Sequence, residues 1–365
     1  MRTNNNGVIK IGVVIGRMNP PHKGHLTLIQ QAVDENEHVI IVLGSAKQPT
    51  DPKNPLSVDK RALLLNELCN DCGVSTEHLH ITSVRDFLYS DVEWVNAVKQ
   101  QVASKVHTIL CNTTNNIKWT YTLYGYEKDD TSNYLKWFKD FWDYQPIANP
   151  FKDDQNKIVS STTIRDILFS KGLFALQDPL IVKACSPKQI AYFEQWIMSS
   201  DFHSIQQDYE HYKEYKQRWN TSPFPPVFVT GDAVVFCNGH VLVVTRKGPP
   251  GGNAYALPGG FINQEETVNE CIIRELKEET KIDVPPGKLK NCLRSITVFD
   301  APHRSLRGRT ITHAGLIVLD EPTLPRVKGA DDARSAFWLS LHQLDRFQDK
   351  FFEDHWHIIN VLKTI

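Results

Sequence analysis

The sequence predicts two α/β domains in succession. Three observations lead there. A chain of 365 residues exceeds what one core of ordinary size holds. Apolar, β-rich runs alternate with helical patterns over the first half, the mark of a doubly wound parallel sheet. Beyond a proline-rich break, short strands bracket one acidic helix, which implies a mixed sheet with that helix on its face.

In chain order, residues 8–15 form a strand bounded by Gly16, and Leu26, Ile29 and Val33 mark one face of the helix that follows. A strand is expected over 38–43, then a proline-rich loop, a helix over 60–68 and a short strand near 80–83. Residues 106–111 read as a strand and 134–142 as a short aromatic helix. Ser186-Pro187, a cap followed by proline at the first helical position, opens a helical region that runs, with a break near 199–203, to about Trp219. Tyr209, Tyr212 and Tyr215 recur in it at helical spacing, as packing residues do. Thr221-Ser222-Pro223-Phe224-Pro225-Pro226 ends it. Strands are then expected over 227–236, 241–246, 293–299, 310–319 and 336–340. The domains are therefore placed at 1–185 and 227–365, with 186–226 as a helical connector and linker.

A formal net charge of −1 provides no broad basic surface for nucleic acid. No apolar run approaches the ~20 residues of a membrane span, and the start Met1–Asn6 lacks a signal peptide's apolar core, so a cytoplasmic protein is expected. Seven scattered cysteines do not form a disulfide framework. Cys69 and Cys72, with His78 and His80 downstream, have the look of half a zinc site but lack a second pair, and ordinary packing is the expectation.

The turn Gly16-Arg17-Met18-Asn19-Pro20-Pro21-His22-Lys23-Gly24-His25 joins the first strand to the first helix, where ligands of doubly wound sheets collect. His22 and His25 share a face of the helix start, beside unpaired N–H groups and the positive end of the helix dipole. Gly24 lets a phosphate come close to the backbone. Ser160-Ser161-Thr162-Thr163-Ile164-Arg165 opens a later helix with hydroxyls at the cap and an arginine in its first turn, again an anion site. Together these resemble the H-x-G-H and I-S-S-T-x-I-R elements of the nucleotidylyltransferase superfamily, whose fold is Rossmann-like. The resemblance implies His22, His25 and Arg165 in catalysis, and Arg17, Asn19, Gly24, Ser161, Thr162 and Arg165 around the phosphates of ATP. Gly44-Ser45-Ala46, Asn54-Pro55-Leu56 and Arg61, with Asp86 and Trp94, resemble the archaeal-type nicotinamide mononucleotide (NMN) adenylyltransferases. Asp86 and Trp94 would then hold NMN, the indole stacking on its pyridine ring, and the products would be NAD and pyrophosphate.

The acidic helix carries the second motif, Gly260-x5-Glu266-x7-Arg274-Glu275-Leu276-x-Glu278-Glu279-x-Lys281-Ile282. At about 100° per residue, Cys271, Ile272 and Leu276 share one side and Glu275 and Glu279 point into it, whereas Glu270 and Lys277 lie opposite. Carboxylates on the inward face, with Glu278 beside them, read as oxygen ligands for Mg²⁺ or Mn²⁺. The spacing resembles the Nudix box of hydrolases that cleave nucleoside diphosphates linked to another group, and implies an α/β/α sandwich. It makes Gly260, Glu275, Glu278 and Glu279 metal ligands, with Glu266 and Arg274 orienting them from behind. Lys281 stands where the family has glycine and implies a different helix cap.

Arg304, Arg307 and Arg309 fall within six residues beside Pro302 and Gly308, a composition that suits a loop gripping phosphates or a terminal ribose. The segment resembles its counterpart in bifunctional proteins that fuse the adenylyltransferase to a Nudix domain acting on ADP-ribose, releasing AMP and ribose 5-phosphate. A box glutamate, Asp331, Asp332 or Glu353 would serve as general base. The expected partners are ATP, NMN, NAD and ADP-ribose, with neither nucleic acid nor membrane, and the oligomeric state stays open, homo-oligomers included. Two other readings compete: a Nudix sensor that binds a nucleotide without cleaving it, and a nucleotidylyltransferase for another phosphorylated acceptor. Intact box acids and a C-terminal segment without a basic stripe oppose the first, and Asp86 with Trp94 opposes the second.

Overall fold

A computed structural model of the chain describes residues 8–110, 118–126, 130–147 and 150–364. The chain divides into two compact units, Met1–Gln206 and Gln207–Ile365. Met1–Asn6 and Cys111 lie outside the described residues.

In the first unit, β1 (Val8–Gly16), α1 (Lys23–Glu35), β2 (His38–Ala46), α2 (Val58–Asp71), β3 (Leu79–Arg85), α3 (Asp91–Leu110), β4 (Lys118–Gly125) and β5 (Asp143–Pro146) alternate. The five strands form a parallel sheet in the order β3-β2-β1-β4-β5. Side chains of β1 alternate between its faces as the period of two requires. Ile11, Val13 and Ile15 meet Val98 and Val102 of α3, whereas Val14 meets Leu26 and Ile29 of α1. Cys69 is buried in that second layer with Leu65 and Leu68, and burial pushes its thiol up to about 11.

Residues 106–110, expected as a strand, are the last turns of α3. Val95, Val98, Val102 and Val106 all face the sheet at helical spacing, so packing overrides the β-preference of the Val-His-Thr-Ile run. The helices α4 (Ser161–Lys171), α5 (Pro179–Ala184) and α6 (Pro187–Ile197) complete the unit, and α7 (Ser200–Gln217) follows. The first unit runs beyond the boundary expected at residue 185. Trp196 of α6 and Phe202 of α7 pack against Phe169 of α4, at ring separations of 6.1 and 5.4 Å.

The second unit holds β6 (Val227–Cys237), β7 (His240–Arg246), the short β8 (Tyr255–Ala256) and β9 (Gly259–Phe261), α8 (Val268–Thr280), α9 (Pro286–Asn291), β10 (Leu293–Phe299), β11 (Arg309–Leu319), β12 (Ala333–Ser340) and α10 (His355–Leu362). Its mixed sheet runs β10-β11-β6-β7-β12, with β9 on β6 and β8 on β7. Only the β11–β6 pair among these is parallel. Ile272, Ile273 and Leu276 of α8 pack on Ala233 and Val235 of β6, which sets the acids of α8 beside β9. No helix among the described residues is long and apolar enough to cross a membrane.

Candidate active sites

In the first unit the loop after β1 lies at the carboxyl end of the sheet and carries the histidine pair into α1. His22 caps α1: its Nδ1 accepts from the Gly24 N–H at 3.0 Å, and His25 Nδ1 accepts from the His22 N–H at 3.2 Å. An Nδ1 that accepts obliges the neutral ring to carry its proton on Nε2. Burial pushes the His25 pKa down to about 4, so near neutral pH it is an uncharged donor. The rings lie 4.0 Å apart, and a Cβ on residue 24 would stand 2.7 Å from His22 Cε1, so the pair requires Gly24.

Arg165 is buried and donates to the Asn19 carbonyl at 2.5 Å and to Thr162 Oγ1 at 3.1 Å. Ser161 Oγ donates to the Pro20 carbonyl at 2.9 Å. These bonds tie the cap of α4 to the β1 loop, bringing together two elements that are far apart in sequence. Asn19 is anchored beside this loop: its side chain bonds the main chain of Leu56, donating to the carbonyl at 3.1 Å and accepting from the N–H at 3.2 Å. A buried amide must find partners at both ends, and these two peptide groups supply them.

Arg61 Nη1 donates to the carbonyls of Arg17 and Gly44 at 2.6 and 2.8 Å, joining the ends of β1 and β2. Sequence reasoning missed Asp51 and Lys53. Asp51 Oδ1 accepts from the N–H groups of Lys53 and Asn54 at 2.7 and 2.6 Å, an Asx turn whose signal is Asp51-Pro52-Lys53-Asn54. Burial, then Arg17, lowers the pKa of Lys53, and the same two causes bring Arg165 to about 10. Cations that disfavour one another in one cleft invite a polyanion. Asp86 Oδ1 accepts from the Ser45 N–H at 3.2 Å. Trp94 is partly buried and meets Tyr134, Trp137 and Phe138 edge-on at 5.6 to 6.0 Å.

In the second unit Arg274 is the hub. Nε and Nη2 grip both oxygens of Glu266 at 2.9 and 2.6 Å, Nη1 donates to Glu275 and Glu278 at 2.7 and 3.0 Å, and Nη2 also reaches the Phe261 carbonyl at 3.2 Å. Glu279 is buried and accepts from the Gly259 N–H at 3.2 Å, and burial raises its pKa to about 8. Burial also raises Glu275. Lys281 does not cap α8 differently. It takes the left-handed conformation itself, φ 43° and ψ 32°, with its N–H on the Lys277 carbonyl.

Among the described residues, no three His, Cys, Asp or Glu side chains converge as a ready cage for a metal ion. The donors nonetheless fit a hard divalent cation. Glu279 is buried and Glu275 partly so, burial disfavours the charge of both, and a cation beside them would relieve that cost. Glu275 Oε1 presses so close on Gly260 that a Cβ there would lie at 2.4 Å.

The three loop arginines do not act alike. Arg304 forms a two-bond pair with Asp354 at 2.7 and 2.8 Å, both side chains withdrawn from solvent, a tie that holds the arginine loop to residue 354. Burial would lower the Arg304 pKa, but the charge of Asp354 outweighs it and raises it. Arg307 lies over the Phe261 ring at 5.1 Å and 3.7 Å from Glu353, and Arg309 pairs with Asp300 at 3.6 Å.

Asp331 and Asp332 are exposed, whereas the Glu353 side chain is only 6% exposed. Glu353 Oε1 accepts from Ser305 Oγ at 2.7 Å, and its Oε2 has no hydrogen-bond partner among the described residues. Asp232, Arg246 and His355 gather here without a signal in the box. Arg246 feels both Glu279 and Glu353, and His355 Nδ1 accepts from the Leu257 N–H at 2.8 Å.

One unit thus presents neutral imidazole donors and crowded cations for a triphosphate, the other a carboxylate helix for a metal and a diphosphate: a nucleotidyl transferase and a Nudix-type hydrolase in one chain. The family models agree, Cytidylyltransferase-like over residues 13–167 and NUDIX domain over 228–362. The crystal structure of a bifunctional NMN adenylyltransferase/ADP ribose pyrophosphatase from Francisella tularensis, complexed with AMP and Mn ion, is 32% identical. It covers 98% of this chain and 99% of its own, with a TM-score of 0.83. An ADP-ribose pyrophosphatase of Methanocaldococcus jannaschii is 32% identical over 130 residues, 35% of this chain and 72% of the relative. A nicotinamide/nicotinic acid mononucleotide adenylyltransferase of Acinetobacter baylyi is 33% identical over 129 residues, 35% of this chain and 62% of the relative. The chain belongs to the family of bifunctional NMN adenylyltransferase/ADP-ribose pyrophosphatases.

Proposed function

We propose that this chain makes NAD from ATP and NMN in its first unit and hydrolyses ADP-ribose to AMP and ribose 5-phosphate in its second. The observation that carries the reading is that each unit assembles its own phosphate-handling site, with the Francisella relative matching across both. In the first reaction the 5′-phosphate of NMN attacks the α-phosphorus of ATP, and the bond to pyrophosphate breaks. The protein supplies position and charge. His22 and His25 donate from Nε2, and Arg17 and Lys53 balance the phosphate charge. Arg165 holds the β1 loop against α4, and Asp86 and Trp94 take the mononucleotide.

In the second reaction Glu275, Glu278, Glu279 and Gly260 would hold Mg²⁺ or Mn²⁺, with Arg274 and Glu266 keeping those carboxylates in register, and the ion when bound would supply neutralisation of diphosphate charge. Arg307 and Arg309 meet the substrate. Glu353 takes the attacking water's proton at Oε2, the buried carboxylate oxygen that lacks a hydrogen bond, while the water oxygen bonds to one phosphorus and the bridging P–O bond breaks, so that one phosphate leaves as AMP and the other as ribose 5-phosphate. A cytoplasmic setting accords with described cysteines that are all free.

The test is product analysis by chromatography with Mg²⁺ or Mn²⁺ present. NAD is expected from ATP and NMN, and AMP with ribose 5-phosphate from ADP-ribose. Failure to form a dinucleotide from either nicotinamide or nicotinic acid mononucleotide refutes the first assignment, and intact ADP-ribose refutes the second.

A further inference from the structure

Three successive carbonyls of the β1 loop are each held by a side chain from far along the chain. Arg165 donates to Asn19 at 2.5 Å, Ser161 to Pro20 at 2.9 Å, and Gln189 of α6 to Pro21 at 3.0 Å. Pro20 and Pro21 carry no N–H, so their hydrogen bonds must run through the carbonyls. The last of the three clamps stands 168 residues from Pro21, on a helix whose sequence reads as a connector.

The two ends of the Gln189 side chain act differently. Oε1 accepts from the Ser186 N–H at 2.9 Å and closes the capping box of α6, in which Ser186 Oγ accepts from the Gln189 N–H at 3.3 Å. A glutamate would close that box equally well. The NH₂ group has no part in the cap: it donates to the carbonyls of Pro21 and of Leu64 in α2, at 3.0 and 3.3 Å. The side chain is 0% exposed, and a carboxylate there would set an unpaired oxygen against two carbonyls, so the position calls for the amide.

The Pro21 carbonyl and the His22 N–H belong to one planar trans peptide and point in opposite directions. Gln189 grips the carbonyl, and His25 Nδ1 accepts from the N–H at 3.2 Å. That acceptance is what leaves the His25 proton on Nε2. The bonds stand in series, and each polarises the next. A peptide free to tilt would release Nδ1 and let the ring turn or change tautomer.

We propose that Gln189 is a positioning residue of the transferase: its grip on the peptide between Pro21 and His22 holds His25 as an Nε2 donor toward the phosphates. The inference rests on the first unit being an adenylyltransferase. It makes α6 a support of that active site.

The test compares the parent with Gln189→Met, which keeps the length of the side chain without its polar atoms, and Gln189→Glu, which keeps the cap. Gln206→Met serves as a control: Gln206 of α7 donates to the Phe169 carbonyl at 2.7 Å, a bond of the same kind outside the β1 loop, and its loss should leave NAD synthesis unchanged. Both Gln189 variants are expected to lower kcat for NAD synthesis about 10- to 100-fold, with KM for ATP within about threefold. Gln189→Glu should regain rate relative to the parent as the pH falls from about 8 to 6, because a buried carboxyl that takes up a proton becomes a donor again. Hydrogen exchange read by mass spectrometry should show residues 22–26 exchanging faster in Gln189→Met while β1 and β2 stay as protected as in the parent, which reports that the first unit is folded. Folded Gln189 variants with parental kcat, or a kcat loss shared by Gln206→Met, overturn the proposal. Should Gln189→Met lose protection in β1 and β2, Gln189→Glu decides alone: a lowered rate that recovers as the pH falls supports the proposal, and a parental or unrecovered rate overturns it. If the parent forms no NAD, the functional reading fails and hydrogen exchange decides the positioning. Faster exchange over 22–26 in Gln189→Met then supports it, and unchanged exchange overturns it.

Discussion

Arg304 and Asp354 bind each other through two hydrogen bonds of 2.7 and 2.8 Å, with 2% and 0% of their side chains exposed. Removing one partner strands a buried charge, which costs about 3–5 kcal/mol. Arg304→Ala is therefore expected to lower the urea midpoint of the second unit and to lose hydrolysis together with stability. Arg307→Ala is expected to keep the midpoint and raise KM for ADP-ribose. An Arg304→Ala protein of parental stability with only a raised KM would place that arginine in ligand binding.

The two activities should separate by mutation. Glu278→Gln is expected to abolish ADP-ribose hydrolysis and leave NAD synthesis near normal, and Glu353→Gln to cut kcat about 10²–10⁴-fold with little change in KM. His25→Ala should stop NAD formation alone. Parallel assays on one preparation of each variant decide it, and joint loss from either unit's variant counts against independent sites.

Acid should weaken the first unit through His25. Its pKa falls from 6.5 to about 4 on folding because the ring is buried uncharged. The unfolded chain binds the proton first, so stability present above pH 6.5 is lost as pH falls toward 4. Between pH 7 and 5 the loss from this residue is about 2 kcal/mol. His25→Gln should reduce the pH dependence of unfolding by about that amount, as read from denaturation curves at the two pH values; an unchanged slope would contradict a buried neutral ring.

Lys281 holds a left-handed conformation that glycine adopts without a Cβ penalty. Lys281→Gly is expected to stabilise the second unit by roughly 0.5–1 kcal/mol. Its side chain is exposed, so hydrolysis should not change. Thermal melting with activity assays checks both.

Much of this was legible in the chain itself. Strands such as Val8–Gly16 and Arg309–Leu319 follow local apolar patterning, and the acids of α8 follow from its helical period. The valines of α3 misled because β-branched residues carry a strand signal that a helix packed on a sheet overrides. Asp51 and Lys53 hid in a proline-rich loop whose charge acquires meaning only beside Arg17 and Arg165.

By itself, the sequence determined the two α/β units, the H-x-G-H turn and the carboxylate helix, because each is encoded by spacing within a few turns of chain. Only the tertiary structure decided that Asn19 bonds Leu56, that Arg304 pairs with Asp354, and that Glu353 keeps a buried oxygen beside Arg307. Those roles depend on partners 37 to 50 residues away, and a buried charge or amide takes whichever partner folding brings within reach.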